Sequence, residues 1–447
     1  MTRKDLVFFF VACGVTVLLL SGYYLMLPVF PLYMQSLSWS AAVSGVLIGI
    51  FSASSLLIRP FSGVLSDRLG AQRVIWAAFA LYALAALCLL LAPSYGRFAL
   101  GQLLLGGAIG GFTVALSTYI VRFIPTARMA ELFGWHSIAI VLAKGMAPAL
   151  GLWVYEWSSF SRVLWFAMAS VALGMTACLF LPGFLPQRRR PLDSAGGWVL
   201  TPAAGRQGGN SRRAGEGIGR ADEEGGFTGA LGASAEPAAG PGKALSRSDE
   251  DEGGEKTGGW LLHTVGPSLS LLGVAFVFGA FNVLIPLYFH QLSLAHASLF
   301  FVVETGTVVV FRFFMGIMLP WMSRVQWMLV AFAGVLCALS LLAWTTSFYG
   351  LLTVAVVFGF GYAISFPLLN EMVVRHVPHR LRGTAIGLFT TSFDMGLMLG
   401  SLSLALLQWW PFAQVFLLMG AVVIASLICF ALYLRAAMNR RLSLQED

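Results

Sequence analysis

Apolar residues dominate this chain in long runs, each interrupted by a short stretch carrying charge, proline or glycine. A hydrocarbon core about 30 Å thick takes roughly 20 apolar helical residues, and twelve runs approach or exceed that length. The first six are Val7–Met34, Ala41–Leu65, Val74–Leu91, Phe98–Val121, Ala130–Val154 and Val163–Leu185; the second six are Val265–Phe289, Leu299–Met322, Trp327–Trp344, Gly350–Val374, Gly383–Leu407 and Val415–Leu434. The pattern predicts an all-α membrane protein with twelve transmembrane helices.

The interruption from Gly63 to Arg73 (GVLSDRLGAQR) carries one acid, two cations and two glycines between long apolar runs. Such a cluster is costly in lipid and tolerated at the membrane surface, so it predicts a tight surface loop. Cations in the interruptions are biased to one side: Arg3, Lys4, Arg68, Arg73, Arg128, Arg188, Arg324, Arg380, Arg382 and Arg440 share it, while Arg97 and Arg162 fall on the other. The positive-inside rule then places that side, with both termini, in the cytoplasm of a plasma-membrane protein. Gln187–Gly259 is rich in Gly, Ala and mixed charge and nearly free of aromatic residues, too polar to offset the entropy of ordering it. The chain is therefore divided into residues 1–186, a disordered cytoplasmic linker at 187–259, and residues 260–447.

Composition sharpens this picture. Of 447 residues, 58% are hydrophobic and 11% charged, against roughly 25% charged in soluble domains. The net charge of +8 is spread over short loops, which fits topology-setting cations and a lipid-bilayer environment, with no nucleic-acid partner. Cys13, Cys88, Cys178, Cys337 and Cys429 all lie in apolar runs without metal-ligand spacing. Neither a phosphate-binding Gly-x-x-x-x-Gly-Lys-Ser/Thr run nor a catalytic or cofactor cluster is found. The residues predict neither an enzyme nor an ATPase and no cofactor or metal, so energy is expected from an ion gradient or from the solute itself.

The two sets of runs repeat one another. Arg59-Pro-Phe-Ser-Gly63 aligns with Arg312-Phe-Phe-Met-Gly316, and Pro125 and Gly134 align with Pro378 and Gly387, all 253 positions apart. An even number of helices returns the chain to its starting side, so the duplication predicts two parallel six-helix halves. Gly63-x-Leu65-Ser66-Asp67-Arg68-x-Gly70, following a second helix, resembles the cytoplasmic signature of the major facilitator superfamily, and Arg73 keeps one cation of the basic pair usual there. Ala147-Pro148-Ala149-Leu150-Gly151 is similar to the fifth-helix signature of proton-linked exporters, while Gln102 stands where those antiporters carry an arginine. Among members of the superfamily the chain most resembles bacterial drug- or sugar-efflux permeases.

The resemblance implies a secondary transporter that moves a small organic solute by rocker-switch alternating access, as a proton-coupled exporter acting as a monomer. Nutrient uptake, metallophore export and a non-transporting receptor on the same fold are the alternatives. It also implies that Gly63, Asp67, Arg68, Gly70 and Arg73 form a gating motif, Asp67 facing the start of the eleventh helix near Arg382 and Gly383. Pro320 stands at the equivalent position of the second half.

Ionisable residues inside the runs include Arg59, Lys144, Glu304, Arg312, Glu371 and Asp394, each expensive in lipid unless paired or lining a cavity. Lys144 in the fifth run and Glu304 in the eighth are expected to pair across the halves, and Asp394 is expected to stand alone as a titrating carboxylate. Glu371 has Asn370 and Arg375 as neighbours, and Arg59 and Arg312 are expected to snorkel or bind inner-loop carbonyls. In this family the first, fourth, seventh and tenth helices line the cavity, which nominates Tyr23, Tyr24, Thr113, Tyr119, Asn282, Tyr362, Ser365 and Asn370 for solute contact.

Overall fold

The computed structural model describes residues 3–91, 94–121, 129–182, 260–377 and 381–446; the linker expected at 187–259 lies outside the described residues. Among these residues there are twelve long helices and no strand. We number them α1 (Arg3–Met26), α2 (Ala41–Leu69), α3 (Ala71–Leu90), α4 (Tyr95–Val121), α5 (Met129–Glu156), α6 (Phe160–Cys178), α7 (Trp260–Gln291), α8 (Ala297–Met318), α9 (Arg324–Trp344), α10 (Phe348–His376), α11 (Arg382–Leu402) and α12 (Phe412–Glu446). Eleven of the corresponding segments meet the length and hydropathy of a membrane span, and α5, with 28 residues, occupies the fifth place. The chain is an integral membrane protein.

Several boundaries moved for identifiable reasons. The first run divides at Leu27-Pro28 into α1 and a short helix, Val29–Ser36, since a proline removes a backbone donor and crowds the preceding turn. The eleventh run leaves the α-helix at Leu402 and finishes as a 3₁₀ segment, Ser403–Gln408. The expected loop from Gly63 to Arg73 is almost wholly helical. α2 continues to Leu69, and α3 starts at Ala71. Gly70 alone makes the joint, at φ +91°, a conformation open to glycine and strained for other residues. Its N–H donates to the Ser66 carbonyl and its own carbonyl accepts from the Arg73 N–H. A charged glycine-bearing stretch marks where the chain leaves the lipid, but its leucines, serine and arginine still continue a helix.

Helix contacts repeat between the two sets. α2 and α3 both pack on α4, as α8 and α9 pack on α10; α1 packs on α5 and α6, as α7 packs on α11 and α12. The sets meet through α2 with α11 and through α5 with α8. These contacts are close because small residues line them. A Cβ on Gly145 of α5 would lie 2.3 Å from the Thr305 side chain of α8, and one on Gly45 of α2 would lie 2.9 Å from the Ser401 carbonyl.

Candidate functional site

Four helices, α2, α5, α8 and α11, bring the intramembrane charges to the seam between the two sets. At 1.5 Å per residue, Arg59 lies about 15 Å from the Leu69 end of α2, Asp394 about 18 Å from the start of α11 and Lys144 about 22 Å from the start of α5. All three fall well inside a core about 30 Å thick.

Arg59 and Asp394 form an ion pair, Nη2 to Oδ2 at 2.5 Å, with side chains 21% and 15% exposed. This differs from both expectations: Asp394 is not alone, and Arg59 neither snorkels nor turns to a loop carbonyl. Pairing satisfies two charges that would each be costly unpaired. The partners lie 335 positions apart in sequence, and nothing local to either announces the other.

Lys144 and Glu304 are not paired. The Lys144 ammonium instead faces aromatic rings, 4.0 Å from the centroid of Phe393 and 5.7 Å from that of Tyr24, distances at which a cation is attracted to the ring quadrupole. Glu304 is 4% exposed and has no cation within ion-pair distance among the described residues. Its neighbour Thr305 has a buried hydroxyl without a hydrogen-bond partner among them. The fifth and eighth helices do meet, but at Gly145 and Thr305, one position from each expected partner, and that step along a helix turns a side chain by 100°.

The remaining charges separate into two kinds. Arg312 has a buried Nε without a hydrogen-bond partner among the described residues. Lys144 stands against Phe393, the residue before Asp394 on α11, and so lies beside the Arg59–Asp394 pair; with Arg312 and Glu304 of α8, the helix packed on α5, these charges make up the seam cluster. Glu371 lies outside it. Its Oε1 accepts from Arg324 Nε at 2.8 Å in a pair that is 45% and 36% exposed, joining α9 to α10, where the sequence leaves a local ion pair and a solute contact equally open.

Among the nominated cavity residues, the aromatic ones frame the cluster. Tyr23 stacks on Phe51 at 3.6 Å and meets Tyr24 edge-on, and Tyr362 stacks on Phe278 at 4.8 Å. The polar ones are mostly turned to their own helices: Thr113 donates to the Gly110 carbonyl, Asn282 to Phe278 and Ser365 to Gly361. Tyr119 donates to the Pro182 carbonyl at 2.9 Å. Asn282 keeps a buried, unpartnered Oδ1, and Gln102 is fully buried with both amide atoms unpartnered among the described residues. Asn370 is half-buried. Phe393 and Phe278 were missed at the sequence level because an apolar run offers no way to tell a ring facing a cation from one facing lipid.

In the turn motif, Asp67, Arg68 and Arg73 are exposed and Gly63 is half-buried. The expected target of Asp67 falls on Arg382 and Gly383, whose side-chain surroundings lie outside the described residues.

Comparison with known proteins adds the family. A sequence model of the Major Facilitator Superfamily matches residues 12–401, and a second match covers residues 267–443, within the second set of helices. Quinolone resistance protein NorA of Staphylococcus aureus is 26% identical over 139 residues, 31% of this chain and 36% of that protein. The glycine betaine/proline/ectoine/pipecolic acid transporter OusA of Dickeya dadantii is 28% identical over 188 residues, 41% of this chain and 36% of that one. The chain thus matches about a third of the length of these relatives. Among solved structures, a bacterial homologue of the human lysosomal transporter Spinster, inward-facing and unoccupied, is similar with TM-score 0.65 at 14% identity over 98% of both chains. A peptide transporter POT variant in complex with sulfate has TM-score 0.68 at 12% identity, over 96% of this chain and 94% of that one.

Proposed function

We propose that this chain, which belongs to the Major Facilitator Superfamily, is a secondary transporter that carries a small organic solute across the plasma membrane by alternating access, with both termini cytoplasmic. The observation that carries this reading is the Arg59–Asp394 ion pair. It joins α2 of the first set to α11 of the second within the membrane core, where a bond between two otherwise separately packed bodies has to form and break if they rock. A static scaffold gains little from ion pairs there, since well-packed apolar residues serve as well or better.

Proton-coupled export as a monomeric antiporter is the finer reading, and its export part is supported by the similarity to the quinolone resistance protein NorA. Glu304 is the carboxyl best suited to carry the proton. It is buried on α8 with no cation within ion-pair distance among the described residues, whereas Arg59 holds Asp394 as its counter-ion. Nutrient uptake is the second reading; OusA, a transporter of glycine betaine, proline, ectoine and pipecolic acid, shows similarity to this chain alongside NorA. Purified protein in proteoliposomes, with a pH-sensitive dye in the lumen and a panel of organic acids, bases and neutral toxic compounds added outside, separates these readings. Export coupling predicts solute-dependent proton movement opposite to solute flux and its loss in Glu304→Gln. Solute flux indifferent to an imposed pH gradient would rule proton coupling out.

A further inference from the structure

The internal duplication gives one of its two equivalent arginines a counter-ion and leaves the other without one. Arg59 and Arg312 occupy matching positions, 253 apart, on α2 and α8. α2 packs against α11 and α8 against α5, so the two arginines lie on helices with equivalent neighbours. Arg59 meets Asp394. The same offset carries Asp394 to position 141 of α5, where the chain has Val141. Among the described residues Arg312 has no carboxylate within ion-pair distance, and its Nε, like that of Arg59, is buried without a hydrogen-bond partner.

The second cation with no acid in ion-pair distance among the described residues is Lys144, directed at the rings of Phe393 and Tyr24. Taken together, the cluster holds three cations, Arg59, Lys144 and Arg312, against two acids, Asp394 and Glu304. Positive charge is in excess even with Glu304 ionised, and a proton on Glu304 widens the excess. A guanidinium is charged under all physiological conditions, and excess charge at this depth is expensive unless a partner arrives from solution.

We propose that the carried solute is an organic anion with an aromatic or broad apolar body. Its acidic group becomes the counter-ion of Arg312 and draws Lys144 off the rings, and the rings so released, with Tyr362, receive the apolar body. This inference rests on the transporter reading and narrows it to a substrate class. Arg312 and Lys144 supply the charge recognition, and the cluster's acids attract cations only weakly because Asp394 is already engaged by Arg59.

The test uses the full-length protein in detergent and in proteoliposomes. Its probes are naphthalene and biphenyl carboxylates, with the ammonium and neutral alcohol compounds of the same bodies. Binding is read by thermal shift and tryptophan fluorescence, and carriage by counterflow. Carboxylates are expected to bind and to be carried. Arg312→Gln should weaken their binding about tenfold to a hundredfold, as loss of a charge-assisted contact implies, and Arg312→Lys should retain most of it. Lys144→Gln should also weaken carboxylate binding while Lys144→Arg retains most of it, with the melting temperature of each variant reporting folding. Binding confined to the ammonium or alcohol compounds, binding by none of the panel, or carboxylate binding that survives both Arg312→Gln and Lys144→Gln would overturn the inference. Carriage of ammonium or neutral compounds would leave the transporter reading standing while removing the anion. Charge-dependent carboxylate binding without flux of any compound would do the reverse.

Discussion

Asparagine at position 394 keeps the shape of the aspartate and removes its charge, leaving Arg59 as an uncompensated cation inside the membrane core. Removing one partner of a fully buried pair costs about 3–5 kcal/mol. Because these side chains are 21% and 15% exposed, we take the lower end, about 3 kcal/mol. At 1.36 kcal/mol per decade that is about a hundredfold in an equilibrium constant. The pair joins α2 to α11 across the seam, so much of the cost should appear in the balance between conformations and not only in unfolding. The assay is a double-mutant cycle on melting temperature and solute flux with the wild type, Arg59→Met, Asp394→Leu and the double variant, with Asp394→Asn alongside. Each single change should lower the melting temperature by several degrees. The double change should recover most of that loss, as apolar replacement of a buried pair does, yet fail to carry solute. Additive losses in the double variant would refute the pairing as the source of the effect.

Other consequences are smaller in scope. Gly151→Ala would place a Cβ 1.8 Å from the Leu25 carbonyl oxygen; since this is backbone against backbone, α1 and α5 must separate, and a sharp loss of monodisperse protein in size-exclusion chromatography is expected. Gly145→Val meets the Thr305 side chain across the seam and should force α5 and α8 apart, lowering both the melting temperature and the rate of solute flux. Arg324→Gln breaks a pair that is 45% and 36% exposed and should cost less than about 1 kcal/mol, with a melting temperature within about a degree of wild type and unchanged flux.

Much of this molecule could be read from its residues, for a physical reason. Lipid forces backbone groups to be satisfied within each segment, so a run such as Trp327–Trp344 fixes α9 to within three residues, and the 253-residue repeat anticipates contacts such as α2–α4 and α8–α10. What could not be read were side-chain partners. Lys144 and Glu304 lie on helices that do touch, but the contact is made by Gly145 and Thr305, and an angular error of one residue was enough to mispair them. Asp394 and Arg59 meet across sequence-distant helices, and Glu371 turns to α9 and not to its own helix. The Gly63–Arg73 stretch was misread differently: its polarity marks the edge of the membrane, and the helix ignores that edge until Gly70.

Alternating access requires the seam to open at one end while it closes at the other. Spin labels on a cysteine-free background, at Leu65 with Ile386 near the end that carries both termini and at Trp157 with Trp409 near the opposite end, report the two openings by pulsed dipolar distance measurement. All four side chains are exposed, and each pair spans the two sets of helices. The account predicts that Asp394→Asn shifts the two distance distributions in opposite senses, one lengthening as the other shortens. Distributions that both stay unchanged, or that move together, would contradict a two-body transporter hinged on the Arg59–Asp394 pair.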